Sequence, residues 1–272
     1  MSSGSDRIKE NVRAHDRIAP YYERRHPEIY NPREQARLRE TLRGAIGEVR
    51  TGASSVRAAD IGCGAGNLTS HLLDLGCAVT ACDVSDAFLA LVYRRFGATG
   101  RLTTCQLSGK DLRPMADASF DLVATYSVLH HVPDYLGLVR EMARVAKPGG
   151  VVYLDHEPSP DAWRPNEALS AFIREAETSM PFDWGKLMDP MRYWSRLRKL
   201  FDPRYQAEGD IHVFPDDHVE WDEVEQALGE AGCDVVWKED FLLFKRGYPE
   251  ARYDRAVADG LHDTRVLVAR KR

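Results

Sequence analysis

From Val56 to His156, short apolar runs rich in β-branched residues alternate with amphipathic helical patterns. That alternation constrains the fold more than any other feature, because strands buried on both faces and separated by crossover helices pair in parallel. The runs are VRAADI (56–61), CAVTACD (77–83), RLTTCQL (101–107), FDLVATY (120–126) and GVVYLDH (150–156). Helical spacing of apolar residues fills the gaps, predicting helices at Asn67 to Leu75, Ser85 to Phe96 and Tyr135 to Ala146. The last should stop at KPGG, where proline and paired glycine end a helix and turn the chain into the next strand.

Two regions stand outside this core. Residues 6–50 read as a helical cover, with apolar residues at helical spacing in NVRAHDRIAPYYERRH and PREQARLRETLRGAIGEV. Within it Asn31 before Pro32, with Glu34 and Gln35 in the following turn, reads as a capped helix start. Residues 158–215 are too long for an ordinary connection between a strand and a helix, and carry helical patterns at Asn166 to Thr178 and Asp189 to Phe201. After them HVEWDEVEQALGEAG predicts a helix, DVVWKEDFLLF a strand and TRVLVARK a final strand. The whole is expected to be one domain, divided as cover (6–50), core (56–156), inserted lid (158–215) and terminal helix with strand pair (216–272).

Composition narrows the partners. A net charge of -5 gives no electrostatic reason to expect nucleic acid or an anionic membrane, so a small-molecule partner is the default. Cys63, Cys77, Cys82, Cys105 and Cys233 are odd in number and form no C-x-x-C pair, which points to free thiols in a reducing compartment. The start MSSGSDRIKENVR lacks an apolar signal core and no apolar run is long enough to span a bilayer, so the expectation is a soluble, cytoplasmic protein without membrane insertion. No sequence feature sets an oligomeric state.

The chemistry concentrates after the first strand, in AADIGCGAGN (58–67), where Asp60 precedes Gly62, Gly64 and Gly66. A dinucleotide fingerprint spaces its glycines G-x-G-x-x-G. Here Asn67 takes the place of the third glycine, and an acid beside the turn suits a ligand carrying positive charge. DIGCGAGN resembles the first motif of the class I S-adenosylmethionine-dependent methyltransferases. The resemblance implies a Rossmann-like α/β fold: a mostly parallel seven-stranded sheet flanked by helices, here with a helical N-terminal cover and an inserted helical lid. It also implies S-adenosylmethionine as cofactor, with the glycine turn around its methionine part and Asp60 on its amino group.

The second strand ends in CDVS, which puts Asp83, followed by Val84, where an acid accepts the hydroxyls of a ribose, while Ser85 is the better helix cap. This position fits an NAD(P)-dependent oxidoreductase equally, and that reading stays open as an alternative. In LSGKDLRPMADASFD the family would place an acid near the adenine; Gly109 occupies the expected position and Lys110 and Asp111 follow it. SFDLVATYSVLHHVPDY and ARVAKPGGVVYLD resemble the "type 11" and ubiquinone-biosynthesis-like members, implying that backbone near Thr125 and Tyr126 meets the cofactor and that the LHHV segment lines the pocket. Upstream, Asp16, Ile18, Ala19 and Tyr22 in HDRIAPYYERR resemble the family's closing helix, with Tyr22 near the methionine carboxylate and Tyr21 and Tyr22 facing inward.

Methyl transfer from a sulfonium needs alignment of nucleophile and methyl, exclusion of water, and in some cases removal of a proton. His156 and Glu157, at the carboxyl end of the fifth strand, have the best position for that base, and His131 is the next choice among His130, His131, Asp155, His156, Glu157 and His212. Alternation along a strand would let Asp155 and Glu157 converge with His156 pointing away; a metal on DHE or FPDDH is weighed on that ground and not adopted. The lid supplies aromatics (Trp163, Phe172, Trp184, Trp194) and bases (Arg164, Arg192, Arg196, Lys199) for a partly apolar acceptor that carries a carboxylate or phosphate. The function expected is methyl transfer to oxygen or nitrogen of a small molecule, with a tRNA or protein methylase or a noncatalytic binding module as the remaining alternatives.

Overall fold

The computed structural model describes residues 22–52, 54–178, 218–245 and 248–272. Asp16, Ile18, Ala19, Tyr21, His212, Phe214 to Asp217, the helix expected at 189–201 and the lid residues from Phe182 to Tyr205 lie outside them. In chain order the elements are α1 (Tyr22–Arg25), α2 (Pro32–Gly47), β1 (Arg57–Ile61), α3 (Asn67–Asp74), β2 (Ala78–Asp83), α4 (Asp86–Phe96), β3 (Leu102–Gln106), β4 (Phe120–Tyr126), α5 (Tyr135–Val145), β5 (Ala146–Pro158), α6 (Pro160–Trp163), α7 (Glu167–Thr178), α8 (Trp221–Glu230), β6 (Cys233–Phe241), α9 (Glu250–Ala258) and β7 (Thr264–Lys271). Among the described residues no helix is long and apolar enough to cross a membrane.

The seven strands form one sheet in the order β3-β2-β1-β4-β5-β7-β6. The first five run parallel, and β7 enters antiparallel between β5 and β6. Every residue of β4 is buried, as its position at the centre of a two-faced parallel sheet demands. One face packs Ile61, Cys82, Val123 and Leu154 against α5 and α8. The other packs Ala58, Val79, Leu122 and Tyr153 under α2, α3 and α4. On α2 the completely buried Leu38 and Leu42 are one turn apart, each stabilising the fold by about 1.5–3 kcal/mol.

Local signals set the helix starts. The Asn31 side chain accepts the Glu34 N–H at 3.0 Å, with Pro32 in the first turn. Ser85 accepts the Phe88 N–H at 3.2 Å at the start of α4. Two features differ from expectation. KPGG does not separate α5 from the strand but lies inside β5, where the pairing with β4 jumps from Phe120↔Ala146 to Leu122↔Val151. The helix α9 was not expected, because its sequence EARYDRAVA offers few apolar residues; it packs through Ala256 and Tyr253 onto Phe172, Leu242 and Tyr248.

Candidate active site

The strand order reverses between β1 and β4, and in open α/β sheets the crevice at that point, outside the carboxyl ends of the strands, is where ligands bind. A cavity of about 360 Å³ lies there. Its floor comes from Ile61, the last residue of β1, with Gly62 and Gly64 of the turn that follows, and from Asp83 and Val84 at the end of β2. Gly109, Lys110 and Asp111 close one side. Tyr126, Val128, His130, His131 and His156 close the other, and Tyr22, His26 and Glu28 of the N-terminal segment complete the wall.

The glycines have a steric cause. At Gly62 φ is 74° and an added Cβ would lie 2.6 Å from a Val128 methyl, so the turn leaving β1 touches the chain leaving β4. At Gly64 φ is 48° and a Cβ would meet no protein atom within 4 Å, so the backbone faces open space in the cavity wall. The turn is tied to β2: Gly62 and Cys63 donate N–H groups to the Cys82 carbonyl at 2.8 and 2.9 Å, and Gly64 donates to the Asp83 carboxylate at 2.9 Å. The other Asp83 oxygen accepts the Ser85 N–H at 2.9 Å. Asp83 is thereby fixed at the cavity floor, 6% exposed.

Three expected site residues are not in the wall: Asp60, Gly66 and Glu157. Asp60 lies beneath the turn, completely enclosed, and accepts the Thr69 hydroxyl at 2.5 Å. Burial pushes its carboxyl up to about 7, against the Thr69 hydrogen bond, with the nearby Asp83 charge adding to the rise. Gly66 is the residue before α3, and a Cβ on it would strike Phe96 and Val92 of α4.

Glu157 is the anchor of the segment after β4. One carboxylate oxygen accepts the N–H groups of Val128 and Leu129, both at 2.7 Å, and the other accepts the His130 N–H at 3.3 Å and lies 2.6 Å from His130 Nδ1. Burial would raise the Glu157 carboxyl, but His130 and the backbone N–H donors outweigh it and hold it below the usual range. An ionised carboxylate only accepts, so Nδ1 donates to Glu157 and Nε2 is the ring nitrogen left to exchange a proton. His130, not Glu157, is therefore the member of this pair in the wall.

The expected convergence of Asp155 and Glu157 does not occur. His156 has φ 60°, and the pairing of β5 with β7 shifts between Leu154 and Glu157, so the strand alternation is broken at that point. The left-handed residue brings His156 itself to the cavity, packed against Tyr126 with ring centroids 4.6 Å apart. Asp155 turns instead to α2. It accepts from Arg37 at 3.1 Å, from the Tyr153 hydroxyl and from the His156 N–H at 2.6 Å. Arg37 also forks onto Glu34, which accepts the Tyr126 hydroxyl at 2.9 Å. Glu34, Arg37 and Asp155 thus form a buried ionic cluster behind the wall residues Tyr126 and His156. Sequence reasoning gave Glu34 only a helix-start role and did not single out Arg37; the pairing with Asp155 spans 118 residues, and no local pattern reports it.

At the entrance His26 Nδ1 lies 3.0 Å from Glu28, and Tyr22 packs edge-on against Phe88 at 5.5 Å. Burial would raise the Glu28 carboxyl, but the His26 hydrogen bond holds it below its ordinary value. Among the wall residues three carboxylates, Glu28, Asp83 and Asp111, face one lysine, Lys110. That balance suits a ligand with positive charge rather than a pyrophosphate.

Residues 59–154 match the family model described as "Methyltransferase domain". The chain is 30% identical over 182 residues to a ubiquinone biosynthesis O-methyltransferase of Xanthomonas oryzae pv. oryzae, covering 57% of this chain and 75% of that protein. Among solved structures it is similar to an S-adenosylmethionine dependent methyltransferase from Mesorhizobium loti, with TM-score 0.54, 22% identity and coverage of 85% and 96% of the two chains. It is also similar to a magnesium protoporphyrin IX methyltransferase from Synechocystis with bound S-adenosylhomocysteine, with TM-score 0.51, 16% identity and coverage of 88% and 83%.

Proposed function

Because the chain belongs to the class I S-adenosylmethionine-dependent methyltransferases, we propose that it methylates a hydroxyl oxygen of a small, partly apolar molecule, with His130 taking the hydroxyl proton. The observation that carries this reading is His130 in the wall of the crevice at the sheet's switch point, held from behind by the buried Glu157 carboxylate. The O-methyltransferase relative supports oxygen as the atom methylated.

When bound, S-adenosylmethionine supplies a methyl group activated by a positively charged sulfur. For holding it we assign the Gly62 and Gly64 backbone, which leaves room for close approach, and the Asp83 carboxylate for the ribose hydroxyls. Val84, Lys110 and Asp111 stand on the adenine side, and Tyr22 and Tyr126 on the methionine side. Asp60 acts one layer back, as a buried acid beneath the turn.

His130 is suited to the proton because Glu157 fixes its tautomer, and an imidazole ionises near neutral pH. His131, packed against His130 at 3.9 Å between centroids, and His156, packed against Tyr126, shape the acceptor end and exclude water. Their apolar companions Val128, Val132 and Leu138 fit a ring or chain rather than a sugar. On this reading the whole chain is one catalytic unit. The insertion at residues 158–215 follows the strand that carries His156, where acceptor recognition belongs.

The test is transfer of a labelled methyl group to a panel of phenols, hydroxybenzoates and aliphatic amines. The expected outcome is methylation of a hydroxyl acceptor, with His130→Asn lowering kcat about 100-fold or more and KM changing little. Methylation confined to amines, or full activity of His130→Asn, would overturn the reading.

A further inference from the structure

Two cysteines outside the cavity are placed for chemistry that the methyl transfer does not use. Cys82 of β2 and Cys105 of β3 are direct partners in the parallel register, and Cys105 packs against the same apolar cluster that holds Cys82. Cys82 is completely buried, whereas Cys105 is half-buried on the strand that forms the edge of the sheet. The contact with Cys82 pulls the Cys105 thiol down to about 6, against burial, and the same contact together with burial pushes Cys82 well up. One partner is therefore a reachable thiolate and the other a shielded thiol beside it.

We propose that Cys82 and Cys105 form a reversible oxidation site, which a peroxide closes to a disulfide and which, once closed, weakens cofactor binding. The Cys105 thiolate attacks one peroxide oxygen: the S–O bond forms, the O–O bond breaks, and the departing hydroxide takes up a proton as water. The Cys82 sulfur then attacks the sulfenic sulfur: the S–S bond forms, the S–O bond breaks, and hydroxide leaves with the Cys82 proton as a second water. Two thiols lose two electrons and two protons to one peroxide, and a dithiol reverses the change.

The geometry favours a labile bond. Neighbouring strands are about 4.7–4.9 Å apart, inside the Cα window for disulfides, but the bridge needs its Cβ atoms at about 3.8 Å. The strands must pinch by about 1 Å at this point, and strained disulfides reduce readily. The pinch falls on the cavity floor. Asp83 follows Cys82 directly, Leu107 lies two residues after Cys105, and the Leu107 N–H donates to the Asp83 carbonyl at 2.9 Å. The Cys82 carbonyl is also the acceptor that ties down Gly62 and Cys63.

The consequence for affinity rests on the proposed role of Asp83, so the experiment reads the two parts separately. The reduced full chain is treated with hydrogen peroxide, quenched, alkylated and digested, and S-adenosylhomocysteine affinity is measured by calorimetry before treatment, after treatment, and after dithiothreitol. The expected map shows Cys82 and Cys105 peptides linked and two of the five thiols lost. Affinity should fall about tenfold or more, the worth of one charge-assisted hydrogen bond, and return on reduction. Cys105→Ser should keep the reduced affinity throughout. Five free thiols after treatment, a link between other cysteines, or a Cys82–Cys105 link with affinity unchanged would each overturn the proposal. Failure of the reduced protein to bind S-adenosylhomocysteine would instead strike the cofactor assignment, while the peptide map still decides the disulfide.

Discussion

Glu157→Gln keeps the size of the side chain and one carbonyl oxygen while removing its charge. In the native protein the carboxylate accepts four bonds, from the Val128, Leu129 and His130 N–H groups and from His130 Nδ1. The glutamine carbonyl can keep the first two at neutral strength, losing about 1 kcal/mol each. Its amide nitrogen then faces the His130 N–H, and leaving that buried donor unmet costs about 1–3 kcal/mol more. The same nitrogen forces Nδ1 from donor to acceptor and so moves the imidazole proton to Nε2. The expected sum is about 3–5 kcal/mol, which a domain of ordinary stability survives. Urea unfolding at pH 7.5 measures the loss, and long-range proton–nitrogen spectra of the His130 ring report the tautomer. Because the Glu157 carboxyl sits below its ordinary 4.5, its contribution is complete above that value and is lost as the pH falls through the lower folded value. The gap between the two proteins should therefore close on acidification below about 4.5. A loss under about 1 kcal/mol, with the proton still on Nδ1, would refute the claim that Glu157 sets the state of His130.

Arg37→Met would leave the buried carboxylates of Glu34 and Asp155 without their shared cation, costing about 3–5 kcal/mol by thermal or urea unfolding, with part regained in Arg37→Met/Asp155→Asn. Asp60 has the opposite sign to Glu157: its folded value is raised from 3.8 to about 7, so its contribution is complete below 3.8 and is lost as the pH rises through about 7. Asp60→Asn should accordingly match the native protein near pH 4 and exceed it at pH 8 by on the order of 2–4 kcal/mol, read from Tm across pH. Gly62→Ala should cost about 1–3 kcal/mol of crowding against Val128 on top of about 1 kcal/mol for the left-handed backbone, measured by urea unfolding.

The strands and their crossover helices were legible because their signals are local. FDLVATY is apolar enough to occupy the sheet centre, Asn31 and Ser85 cap the helices they precede, and TRVLVARK spans the final strand. The helix α9 was not, because an exposed helix rich in charge lacks the apolar stripe that periodicity detects. At the site, the glycine turn and Asp83 could be picked out because a turn and a strand end are short features. The DHEP segment was misread for a definite reason. Period-two alternation puts Asp155 and Glu157 on one face, but His156 takes a positive φ that its residue type does not announce. That one backbone choice sends Asp155 to Arg37 and Glu157 to His130.

The central claim is that the crevice between β1 and β4 holds S-adenosylmethionine through Asp83. Calorimetric titration of S-adenosylhomocysteine into the native protein and into Asp83→Ala tests it most directly. The account predicts binding to the native protein and a loss of about 100-fold in the variant, the worth of two charge-assisted hydrogen bonds. Unchanged affinity in Asp83→Ala, or tight binding of NAD with no response to S-adenosylhomocysteine, would contradict it.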